Sequence, residues 1–170
     1  MVTYSEGKRY VFSCFNDSDI FNPATHFNDA LRPNGDYAEI LIRPCSSEAY
    51  YEFHITPQNI NSQYLFRYAY EIDDLLKAYP DKSATELLAC AGYFFKAETH
   101  LDEPGNSWCS LTVIDLPLLM KNREICPHYY LNLCRRNCFR NSDAQQHSSI
   151  LTLSELNYHH QNEWVKLMIP

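Results

Sequence analysis

The sequence predicts an all-β fold, an antiparallel β-sandwich with short helical excursions, and three observations point to it. Short segments alternate apolar and polar side chains at the period of a strand. Residues suited to a pleated, half-buried surface are abundant, with 13 Tyr and 9 Phe. Turn formers punctuate the segments without regular helices between them. A chain of 170 residues matches one domain with one core, spanning 1–170.

The first predicted strand is Lys8 to Asn16, with Tyr10, Phe12 and Cys14 inward, and it breaks at the polar turn Asp17-Ser18-Asp19. A loop through Asn22-Pro23 and Arg32-Pro33-Asn34-Gly35-Asp36 leads to a strand over Tyr37 to Pro44, because Asn-Gly is a strong turn signal. Alternation puts Ala38, Ile40 and Ile42 on one face and Tyr37, Glu39, Leu41 and Arg43 on a partly wet one. Tyr50 to Thr56 follows with Tyr51, Phe53 and Ile55 inward, and Pro57 ends it. The short link from Cys45 to Ala49 predicts a hairpin, which gathers Glu39, Arg43, Glu52 and His54 on one face.

Further strands are predicted over Gln63–Glu71, Ala91–Thr99, Trp108–Leu116, His128–Phe139 and Trp164–Ile169. Ile72 to Tyr79 has helical spacing and reads as an excursion, Leu118 begins a helical turn, and the stretch from Asn141 to Ser149 reads as a polar connection.

The charge pattern narrows the function. With 21 acidic against 14 basic side chains the net charge is −7, which repels a phosphate backbone and excludes nucleic acid as a partner. No run approaches the ~20 apolar residues that cross a bilayer, so no membrane insertion is expected. Met1 to Lys8 lack the apolar core of a leader peptide. Seven cysteines are an odd number and form no C-x-x-C pair, which predicts reduced, structural thiols. Cys126, His128, Cys134 and Cys138 fit no zinc spacing. The pattern assigns no oligomeric state.

Two segments now carry a likeness. Asn34-Gly35-Asp36-Tyr37-Ala38-Glu39-Ile40, followed by Tyr50-Tyr51-Glu52-Phe53-His54-Ile55-Thr56-Pro57, resembles the paired strands of family-9 carbohydrate-binding modules and their DOMON-like relatives. Trp108 to Pro117 is similar to the family's aromatic strand, and Arg135 to Arg140, Tyr158-His159 and Glu163 to Leu167 are similar to its closing section. The resemblance implies a β-sandwich that binds a saccharide without catalysis, as an accessory domain in polysaccharide breakdown, extracellular or periplasmic. It requires no cofactor, although some members hold structural calcium. The family has a strand before the one at Lys8, so the chain is expected to lack it.

Carried over by position, the acidic sugar contact falls on Glu39 and the basic one on His54, where the family has Arg. The aromatic platform before Gly-Asp falls on Pro33, a departure that weakens the sugar site. Glu52, Arg43 and Arg136 add planar polar groups to the same face, and Trp108 is a candidate platform, though a Trp at the start of an apolar strand also reads as core. Asp17, Asp19 and Asp36 are the candidate calcium ligands, against the reading of plain acidic turn residues. His159 and His160 read as structural. Two other functions stay open: an interaction or structural domain with a degenerate sugar site, and a glycoside hydrolase pairing Glu39 with Glu52.

Overall fold

The computed structural model describes residues 1–29, 35–119 and 127–169. Among them two antiparallel sheets pack face to face, so the fold is an all-β sandwich. The smaller sheet takes the order β1 (Val2–Ser5), β2 (Lys8–Asn16), β7 (Ser107–Asp115), β6 (Phe95–Asp102). The larger takes the order β10 (Val165–Met168), β8 (His128–Cys138), β3 (Tyr37–Pro44), β4 (Tyr50–Ile55), β5 (Asn61–Phe66), and β9 (Gln145–Ser149) extends β8 beyond the reach of β10.

The predicted hairpin forms with Glu39 opposite His54 and Leu41 opposite Glu52. Between the sheets, Ala38, Ile40 and Ile42 meet Tyr51, Phe53 and Ile55 from the larger sheet and Val11, Phe95, Trp108 and Ile114 from the smaller. Burial of these side chains supplies the main favourable term for folding.

Several expectations are corrected. A strand does precede Lys8: Val2–Ser5 pairs with Lys8–Val11. In β2 the inward face is Arg9, Val11 and Phe15, and Phe12 is 45% exposed. A shift of one residue in a period of two exchanges the faces, and β2 carries aromatics on both. Cys14 therefore points outward, directly opposite Cys109 on β7, and the two are joined in a disulfide, whereas Cys90 and Cys134 are free thiols. The strand predicted to Glu71 ends at Phe66, and the polar connection 141–149 contains β9.

The most consequential difference lies on the outer face of the larger sheet. It was expected to be partly wet, yet every residue of β4 is buried. Helix α1 (Glu71–Ala78), helix α2 (Ala84–Leu88) and the segment 150–164 cover it, and a short α3 (Leu116–Leu119) follows β7 elsewhere. Leu41, Tyr50, Tyr64 and Phe66 on the sheet meet Ile72, Leu75, Leu88, Tyr158 and Trp164 from the cover, forming a second apolar cluster. Helix α2 is fixed by a capping box, in which Ser83 accepts from the Glu86 amide and Glu86 accepts from the Ser83 amide. Among the described residues no helix is long and apolar enough to cross a membrane.

Candidate functional site

Strand alternation aims Glu39, Glu52 and His54 at the covered face, and the cover seals them in: each is 2% exposed. His54 Nε2 lies 3.5 Å from Glu39 Oε1 and hydrogen-bonds Glu52 Oε1. Tyr37 stacks on the His54 ring at 4.5 Å between centroids, and Tyr64 meets it edge-on at 5.0 Å. His159, from the cover, stands 3.9 Å from Glu52 Oε2 and hydrogen-bonds the Tyr50 hydroxyl. Cys134, opposite Glu39 on β8, has its thiol pushed well above the usual range by burial and then by the nearby Glu39 carboxylate.

The predicted sugar contacts thus do come together, but not as an open sheet face. Glu39 and His54 form part of a buried charged cluster, so a saccharide does not lie across them, and Glu52 is sealed with them. Arg136 stands at the rim of a small cavity of about 200 Å³ that reaches Glu39 and Tyr37, and it donates to the Tyr37 hydroxyl at 3.3 Å. Trp108 is fully buried in the core against Phe15, which corrects its candidacy as a platform, since no sugar face can reach a ring enclosed between two sheets. The aromatic position that falls on Pro33 lies outside the described residues.

The calcium expectation fails a test of fit. Asp17 is ion-paired to Arg135 at 2.6 Å, and Asp19 is paired to Arg140 at 3.1 Å and accepts from the Arg140 amide. Asp36 accepts from the amides of Phe21 and Cys138, each at 2.8 Å. These carboxylates are spent tying loops together, and among the described residues they do not converge on a common point as the six to eight oxygens of a calcium site must.

Of the predicted residues, Arg43 opens onto a cleft well within ligand size. The cleft measures about 680 Å³ and is lined by Arg43, Glu48, Tyr68, Tyr70, His160, Glu163 and neighbouring residues. Pockets that enclose small ligands run about 300–1,000 Å³; this cleft lies well inside that range, whereas the pocket of about 300 Å³ that Glu39 lines with Phe15 and Cys134 reaches only its lower end and the cavity of about 200 Å³ falls below it. Tyr68 and Tyr70 are 37% and 47% exposed. Tyr70 precedes α1 in a left-handed conformation at φ 66°, uncommon for a large side chain. Its hydroxyl accepts from Asn157 at 3.2 Å and hydrogen-bonds His160 at 2.9 Å, which holds the ring in place. Arg43 lies 4.2 Å over the Tyr130 ring and donates to the Ser47 carbonyl. The pairing of Arg43 with Tyr68 and Tyr70 had no local sequence signal, because the tyrosines sit in a segment that reads as strand.

No family model matches the sequence, and no curated protein matches it. The fold does match a crystal structure at 2.70 Å resolution of a provisionally named carbohydrate-binding protein from Bacteroides uniformis ATCC 8492, with a TM-score of 0.67. The likeness covers 98% of this chain and 75% of that one at 11% sequence identity, so it is a likeness of fold.

Proposed function

We propose that this chain is a non-catalytic carbohydrate-binding domain and that it takes its saccharide in the Arg43 cleft. The carrying observation is the exposure of two tyrosine rings, Tyr68 and Tyr70, beside the planar polar groups of Arg43 and Glu163 in a cleft of about 680 Å³. Rings stack on the apolar faces of a sugar, and charged planar groups make the stronger hydrogen bonds to its hydroxyls. The fold neighbour and the likeness to family-9 modules support the class of ligand. The site differs from the one the family likeness implies, because Glu39 and His54 are enclosed.

A glycoside hydrolase needs its two carboxylates on either side of a substrate bond. Glu39 and Glu52 instead meet on His54 under the cover. The experiment is calorimetric titration with soluble mono- and oligosaccharides, repeated for Tyr70→Ala and Arg43→Ala. Saturable binding to wild type, weakened at least tenfold in each variant, is the expected result, equivalent to about 1.4 kcal/mol or more. A folded wild type that binds nothing across the panel would refute the reading and favour an interaction domain.

A further inference from the structure

We infer that Glu39, Glu52 and His54 form a binding site for one divalent transition-metal ion of the zinc class. The inference is independent of the saccharide cleft and uses none of Arg43, Tyr68 or Tyr70.

The three residues sit on two paired strands, with Glu39 opposite His54 in register and Glu52 two residues before His54 on the same strand. Their donor atoms all lie within 4.8 Å of one another, and among the described residues they are the group of three or more such ligands that converges in this way. An ion at about 2.0–2.2 Å from each of three ligands, in roughly tetrahedral geometry, sets those ligands about 3.4 Å apart. The observed 3.5 Å from His54 Nε2 to Glu39 Oε1 already meets that separation. The short contact between His54 and Glu52 has to open, and the Glu39 and Glu52 donors, within 4.8 Å of each other, have to close on the ion.

The charges of the ligand set suit a dication. A dication neutralises both carboxylates and needs the ring neutral, with Nε2 as its donor. The ligand set of one nitrogen and two carboxylate oxygens suits zinc and its neighbours in the first transition row better than calcium, which takes more oxygens, or copper(I), which prefers sulfur.

A second observation supplies room beside the cluster. Cavities of about 190 and 200 Å³ adjoin the cluster, one lined by Glu52 and His54 and the other by Glu39, and His159 borders both. Three protein ligands leave a fourth position, and these cavities offer room for a water on it. The stacked Tyr37 and the edge of Tyr64 fix the His54 ring plane, as the surroundings of a metal-bound histidine do.

The test uses the intact chain, stripped with a chelator and then titrated with Co²⁺ and Zn²⁺. Expected are one equivalent of Co²⁺ with visible absorption bands of a four- or five-coordinate site, displacement by Zn²⁺, and one zinc per chain by elemental analysis. Glu52→Gln and His54→Gln should weaken uptake at least a hundredfold, whereas the double variant His26→Ala/His100→Ala leaves it unchanged. If a variant does not fold, the wild-type stoichiometry and spectrum still decide. A folded wild type without stoichiometric uptake overturns the inference, and so does uptake that survives folded Glu52→Gln or is lost in the His26/His100 control.

Discussion

Phe15 and Trp108 face each other across β2 and β7 with ring centroids 4.5 Å apart, and this pair fills the middle of the sandwich rather than its surface. The indole Nε1 finds no hydrogen-bond acceptor among the described residues, so the ring contributes through its apolar area. Trp108→Ala should destabilise the fold by about 3–5 kcal/mol, as removal of a large core aromatic does. Trp108→Phe keeps most of the apolar area and removes the orphan donor, so it should cost clearly less. Urea unfolding of both variants checks the order, and a Trp108→Ala protein as stable as wild type would return the residue to the surface.

The bond between Cys14 and Cys109 closes a separation of 95 residues. In the chain-entropy description a loop of that length restricts the unfolded state by about 4–5 kcal/mol. For a domain of this size the corresponding change in melting temperature is about 10 °C or more. Melting with and without reductant should show that difference, and Cys14→Ser/Cys109→Ser should melt near the reduced wild type and be insensitive to reductant. Two extra titratable thiols in native, unreduced protein would contradict the bond.

The sandwich was legible in the sequence because period-two alternation is strong in β3 and β4, where Ile40 and Phe53 point one way and Glu39 and His54 the other. The face of β2 was not, since Tyr10, Phe12, Val11 and Phe15 offer apolar side chains on both sides. Nor was the pairing of Cys14 with Cys109, because connectivity does not follow from spacing. The candidate site was half visible. Alternation grouped Glu39, Glu52 and His54, but whether that group is wet depends on Ile72, Leu88, Tyr158 and Trp164, remote in sequence and without a shared period. Coverage by distant segments is a tertiary fact, and it turns an expected sugar face into a sealed cluster.

Gly35 lies where β3 begins, against the loop through Asn22 and Pro23. A Cβ there would stand 2.7 Å from Asn22 Cα and 2.8 Å from Pro23 Cδ, closer than packed atoms allow. Gly35→Ala must push the loop away and so should destabilise by about 1–3 kcal/mol. The hydrogen bond from Asn22 Nδ2 to the Asp36 carbonyl, 3.0 Å long, should loosen with it. Thermal melting gives the first quantity, and an unchanged midpoint would show that the loop yields freely.

Asp36 is fully buried, and its two oxygens accept from the Phe21 and Cys138 amides, so one carboxyl ties the start of β3 to the end of β8. Burial pushes its pKa up from the ordinary 3.8 to about 6, against the two amide bonds, which favour the charged form, and with help from nearby Asp17. A carboxyl raised in the folded state binds its proton more tightly there than in the unfolded chain. Its contribution to stability is therefore fully present below 3.8 and is lost as pH rises through about 6. The span corresponds to about 3 kcal/mol at most. Asp36→Asn keeps one acceptor and cannot titrate. The stability of wild type minus that of Asp36→Asn should accordingly fall between about pH 4 and about pH 7, other groups cancelling in the difference. A difference that stays flat across that range would mean the amide bonds outweigh burial and hold Asp36 ionised throughout.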